Sequence, residues 1–175
     1  MDQVPMWFER KFEFPVPVEQ HAGLCARLRG APARLEEAVR NAGHAVLIRK
    51  TDGKWSAQEH AGHLLDLESL WMARIDDFLA ADYQAASTLT VADLRNTKTE
   101  KAHHNEVPIA TILSEFRVER QRFANRAERA APETLERTLL HPRLKTPMRL
   151  VDHLYFVAEH DDHHLARIAE LVNNE

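Results

Sequence analysis

At 175 residues, 44% apolar and 29% charged, the chain is long enough to bury one core, and its composition excludes a disordered or fibrous protein. A net charge of −4 with no Lys/Arg run excludes the electrostatic footprint of a nucleic-acid binder, and no apolar stretch approaches membrane-spanning length. The single cysteine excludes an intrachain disulfide and a cysteine-rich zinc site.

Nucleic acid and membrane are therefore not expected as partners, and Cys25 is expected to be a buried small apolar residue. Glycine is scarce, at five, while Ala, Leu, Arg and Glu abound, which predicts an all-α domain over 1–175. Residues 1–16 mix aromatic and charged groups with Pro15 and read as an extended lead-in. The segment has no apolar h-region of a signal peptide, so a cytoplasmic protein is expected.

Pro17 suits the first turn of a helix over about 17–29. Gly30-Ala31-Pro32 predicts a break or bend, and the helix resumes to about Asn41, with Leu24, Leu28, Leu35 and Val39 inward. Ser56 with Glu59 three residues on is a capping box, opening a second helix that carries Ala57, Leu64, Leu67, Trp71, Ile75 and Phe78 to about Ala81. Residues 82–107 lack apolar periodicity and read as a long connection with a turn of helix at 91–94. Pro108 opens a third helix whose face holds Ile109, Ile112, Leu113, Phe116, Arg120, Phe123 and Ala127. Thr146-Pro147 signals a last helix running to about Val172. Four amphipathic helices with a long connection between the second and third predict a four-helix bundle.

Histidine is the unusual count, at eleven. His160 and His164 stand four apart on the last helix, where two imidazoles can share one ion. With 100° per residue, His164 lies about 80° and His160 about 120° from the apolar centre shared by Leu154, Leu165 and Val172. The pair is therefore expected at the rim of the bundle, open to solvent or substrate, and His163, on the opposite side, is expected to be solvated. On the second helix His60 falls near the middle of the apolar face and His63 about 90° to one side. Periodicity leaves both open as a third donor, and the flanking position of His63 matches the flanking pair.

Lys54-Trp55-Ser56, Glu59, His63-Leu64 and Glu68, followed by His160 and His164 in the final helix, resemble the DinB-like superfamily of four-helix proteins over nearly the whole chain. The resemblance implies a bundle of that type and a divalent ion, zinc or nickel, held by His63, His160 and His164. Glu68 and Asp161 are candidates to orient a histidine or a bound water, with a surface salt bridge as the alternative for each. His153, seven residues before His160, is a candidate for a supporting or substrate-facing role. His103, His104 and Asn105 could close over the ion, or simply be solvated. His141 and Arg143, in HPRLKTP, are weaker candidates whose plain reading is an anchor for the chain before the last helix, and Trp55, Trp71 and Phe78 read as core.

The resemblance further implies a metal-dependent enzyme acting on small molecules, of thiol-dependent transferase type, with a low-molecular-weight thiol such as bacillithiol or mycothiol as cosubstrate. A hydrolase using metal-bound hydroxide and a non-enzymatic metal-binding stress protein are the alternatives. A homodimer is implied by the resemblance alone.

Overall fold

The second helix starts where its capping box places it. Ser56 Oγ accepts from the Glu59 amide at 3.1 Å, and Glu59 returns the bond to the Ser56 amide at 2.9 Å. The computed structural model describes residues 4–51, 53–80, 82–85 and 87–173. Its helices are α1 (His21–Val39), α2 (His44–Leu47), α3 (Ala57–Asp66), α4 (Glu68–Leu79), α5 (Thr97–Lys101), α6 (Ile109–Glu128), α7 (Pro132–Leu135) and α8 (Leu150–Asn173). Helix α1 packs on α6 and α8, and the α3–α4 pair closes the other side of a four-helix bundle. Among the described residues, no helix is long and apolar enough to cross a membrane.

Three boundaries differ from the sequence expectation, each for a local reason. Helix α1 runs unbroken through Pro32. An internal proline costs about 3 kcal/mol. Continuing the helix buries Leu35 and Val39, worth roughly 1.5–3 kcal/mol each, so packing offsets the lost hydrogen bond. The second helix is two helices meeting at Leu67, where the Asp66 carbonyl accepts from Lys98 Nζ at 3.0 Å and Ser69 Oγ at 3.4 Å. The last helix starts at Leu150, because Pro147 lies in a short antiparallel hairpin, β1 (Thr138–Leu140) with β2 (Pro147–Arg149), opposite Leu140. A two-stranded ribbon is all edge and tolerates a proline.

The long connection also folds differently from the expected turn at 91–94. Asp93 caps the chain there by accepting from the amides of Arg95 and Thr97, and helix follows instead at α5 and in a 3-10 turn, His104–Glu106. The lead-in runs antiparallel along α8. Val4 donates to Glu170, Arg10 pairs with Glu159, and the Val16 amide donates to Asp152.

Apolar side chains form two clusters, one containing Phe78, Phe123 and Leu154, the other Leu35, Phe116 and Ile168. Arg120 lies between them, its guanidinium 4.9 Å from the Phe116 ring and 5.8 Å from the Phe123 ring. It is fully buried and donates to Glu68 Oε1 from Nε at 3.0 Å and from Nη2 at 2.5 Å. It also donates to both oxygens of Asp161, the Nη2 contact being 3.0 Å. Glu68 and Asp161 thus point at Arg120 and not at a histidine, and their ion pairs are in the core and not on the surface. Burial raises the Glu68 carboxyl to about 7 despite the guanidinium beside it, and raises Asp161 as well.

Removing one partner from a buried ion cluster leaves the others uncompensated, so Arg120→Met should cost about 3–5 kcal/mol of stability in urea titration. Adding Glu68→Gln and Asp161→Asn to that variant should recover most of the loss. A loss below about 1 kcal/mol for the single variant contradicts this role.

Candidate metal centre

Helix α3 presents His60 and His63, three residues apart, toward α8, which presents His160 and His164, four residues apart; either spacing is about one helical turn. Donor nitrogens of His63, His160 and His164 lie within 4.8 Å of one another, and all three residues are buried. His160 Nε2 and His164 Nε2 are 3.2 Å apart. The pair flanks the apolar face as predicted, but the rim is not open. The lead-in covers it: the Trp7 ring meets His160 edge-on at 4.9 Å and His163 at 5.7 Å. His163 is 7% exposed, so the expectation of a solvated residue fails for the same reason. A helical wheel counts the bundle and not a strand of chain laid over its outside.

Proton accounting selects the donor atom of His63. Asp66 is held below the usual carboxylate range by His104 and Thr99, against the upward push of burial, so it is an acceptor only. Thr99 Oγ1 donates to it at 2.8 Å and therefore accepts from His63 Nδ1, 3.0 Å away. His63 keeps its lone pair on Nε2. His104 Nε2 completes the chain, 2.8 Å from the same Asp66 oxygen. His104 can approach so closely because residue 62 is glycine, where a Cβ would lie 2.2 Å from the His104 ring. His60 and His164 share a proton between their Nδ1 atoms at 2.8 Å, so His60 braces the far side of a ligand. His160 Nδ1 is buried with no partner among the described residues.

Burial holds His60 at about 3 and His63 at about 4, and puts His160 and His164 well below the ordinary imidazole value. Neighbouring cationic and imidazole groups add to the effect. The donors are therefore neutral at neutral pH, the form a metal requires. Three converging imidazole nitrogens, one with its tautomer fixed from behind, fit a divalent transition metal.

The histidines form one wall of a cavity of about 440 Å³ whose other walls include the indoles of Trp7, Trp55 and Trp71. Trp71 and Phe78 are core, as expected, whereas Trp55 is half-buried, packs 4.8 Å from the His63 ring and donates to Glu100. His153 does not face the cavity. It is sealed between Trp71 and Phe78, with neither ring nitrogen partnered among the described residues. His103 is exposed, His104 supports His63 through Asp66, and Asn105 accepts from Ser56 Oγ. None of the three closes over the ligands. Cys25 is buried, and burial lifts its thiol to about 11, which removes it as a nucleophile. Sequence reasoning missed Asp66 and Thr99, whose roles depend on contacts across 33 positions or more.

Residues 27–168 match the family model of the DinB superfamily, and the chain belongs to that superfamily. No curated protein matches it. Among solved structures it is similar to YfiT from Bacillus subtilis, described as a probable metal-dependent hydrolase with an unusual four-helix bundle topology. The TM-score is 0.77 at 22% identity, over 93% of this chain and 91% of that one. The likeness shows the fold.

Two outcomes follow from the buried imidazoles. Thr99→Val removes the acceptor for His63 Nδ1–H and should weaken metal binding by about 10–100-fold in a competition titration. An unchanged affinity contradicts the relay. In metal-free protein, His60, His63, His141, His153, His160, His163 and His164 all titrate below their unfolded value near 6.5. The unfolded chain then binds more protons below that pH, so stability falls as pH drops from 7 to 5, by up to about 1.4 kcal/mol per pH unit for each histidine. Glu68 and Asp161, both raised in the folded state, act in the opposite sense but are two groups against seven. Thermal melts in chelator should show a Tm declining through this window, and a flat profile contradicts the burial.

Proposed function

We propose that this member of the DinB superfamily is a metal-dependent enzyme acting on a small molecule, with one divalent ion held by His63, His160 and His164. The observation that carries the reading is the convergence of three neutral donors on the wall of a cavity of about 440 Å³. Three protein ligands leave a coordination position for a reactant, the arrangement of catalytic and not structural sites. Zinc and nickel both suit imidazole. The ion would supply Lewis acidity, lowering the pKa of a water or thiol taken into the open position.

The chain's own groups position and exclude. Asp66 through Thr99 holds His63, His60 holds His164, and the indoles of Trp7, Trp55 and Trp71 pack against the ligand rings. A carboxylate base is not at hand. Asp66, Glu68 and Asp161 are committed elsewhere, and among the described residues Asp93 is the one carboxylate on the cavity wall, occupied by two backbone amides. A low-molecular-weight thiol, ordinarily near about 8.5, needs less help than water to ionise. This favours thiolate attack on an electrophilic small molecule, a thiol-dependent transfer. The second reading, a metal-dependent hydrolase, is supported by the similarity to YfiT and uses the same three ligands.

Elemental analysis of protein purified without chelator or thiol should find about one transition metal per chain, and His164→Ala should lose it with only modest change in Tm. A collapse of Tm points to a structural ion instead. With 1-chloro-2,4-dinitrobenzene and N-acetylcysteine, thioether formation with loss of chloride should exceed the uncatalysed background only when the protein carries its metal. Metal-dependent cleavage of p-nitrophenyl acetate without thiol selects the hydrolase, and no metal dependence in either assay contradicts both.

A further inference from the structure

Part of the cavity wall carries several hydrogen-bond donors that no described residue accepts. Arg74, on α4, is 2% exposed. Its Nε donates to the Thr90 carbonyl at 2.9 Å, and no carboxylate pairs with it among the described residues. Its Nη1 stands 3.3 Å from His141 Nε2. The amides of Arg143 and Leu144 both point at His141 Nδ1, at 3.3 and 3.1 Å, so Nδ1 is the acceptor nitrogen. Burial and the two neighbouring guanidinium groups keep His141 neutral, its pKa pushed down to about 3. The remaining proton is therefore on Nε2, and Nε2 and Arg74 Nη1 are two donors facing each other with no lone pair between them.

Two more donors share the fault. Arg143 packs its guanidinium 5.1 Å from the Phe8 ring and 5.9 Å from Trp7 and Phe156, and its Nη2 is buried without a partner among the described residues. Trp71, 3% exposed, also has a buried indole nitrogen without a partner among the described residues, and Arg74 lies 5.5 Å over its ring. Arg74, Arg143, His141 and Trp71 all line the cavity that the metal ligands line. Each unmade bond of this kind costs about 1–3 kcal/mol. A wall with two guanidinium charges and two ring N–H groups, whose one lining carboxylate among the described residues, Asp93, is taken by backbone amides, is incomplete until an anionic oxygen meets it. Cationic nitrogen attracts such an oxygen over a neutral carbonyl because the pair is desolvated.

We infer that Arg74, Arg143 and His141 form a subsite for an anionic oxygen group, carboxylate or phosphate, on a mainly apolar small substrate. The inference rests on the cavity being the substrate site proposed above. The Trp71 ring contacts both Arg74 and His160, the latter at 5.5 Å between centroids, so the anion is held one indole away from the metal ligands. A substrate with its charge fixed there places an aromatic or aliphatic body against Trp7, Trp71 and Phe156 and directs its other end toward the histidines. His141 and Arg143, which the sequence left as anchors of the chain before the last helix, become specificity-determining residues.

Binding to metal-free protein separates this subsite from the metal. In chelator, benzoate and phenyl phosphate should bind saturably by calorimetry, with benzamide, the neutral isostere of benzoate, at least tenfold weaker. Arg143→Gln should weaken the anions at least tenfold and leave benzamide binding, metal uptake and Tm unchanged, while Arg143→Lys should restore part of the affinity. If Arg143→Gln fails to fold, Arg143→Lys still must favour benzoate over benzamide by less than the wild type does. Benzoate preferred over phenyl phosphate marks a carboxylate site, and the reverse a phosphate site. Three results overturn the inference: equal binding of benzoate and benzamide, no saturable anion binding, or anion binding only after metal loading. Failure of the metal reading shows separately, as absent metal uptake by the wild type.

Discussion

The relation between the two halves of the candidate site depends on one buried guanidinium. His63 lies on α3, while His160 and His164 lie on α8, far away in sequence. Arg120, from a third helix, binds Glu68 just past the α3–α4 junction and Asp161 immediately after His160. A buried ion pair adds little net stability over an apolar replacement, since desolvating the charges is costly. Its value here is registration. Sliding α8 by one turn against α4 would strand Asp161 in an apolar interior, so the arrangement that satisfies Arg120 is also the one that brings the three ring nitrogens together.

Around that frame the fold adds cover in two layers. The lead-in runs down α8 and puts Trp7 on His160, while the connection between α4 and α6 brings Thr99, Trp55's partner Glu100, and His104 onto the outside of α3. Both segments convert a rim into a cavity. Dry surroundings keep the imidazoles neutral and strengthen any electrostatic contact inside, whether with a metal or with an anionic substrate. The chemistry proposed for the cavity therefore follows from its walls, donors at one part and lone pairs at another, more than from any single residue.

Much of this was legible in the sequence because it is written at short range. The Ser56–Glu59 box, the apolar stripes and the His160–His164 pitch are periodic or local, and all three appear in the structure. Arg120 was visible too, as a charged residue on an otherwise apolar face, though nothing local said that Glu68 and Asp161 were its partners. What the sequence could not show depends on chain brought from afar. The burial of His163 depends on Trp7, the support of His63 depends on Thr99 and Asp66, and the strand at Pro147 depends on pairing with Leu140. Pro32 shows the converse: a strong local signal for a break, overridden by burial of the residues beyond it.

The central claim is that one ion sits among three particular nitrogens, and anomalous scattering from crystals of protein carrying its native metal tests it most directly. The account predicts one anomalous peak about 2.0–2.1 Å from Nε2 of His63, His160 and His164, with His60 bonded to the far nitrogen of His164. A peak coordinated by His60 or His163 in place of any of these three, or no peak at the cavity wall in metal-loaded crystals, would contradict it.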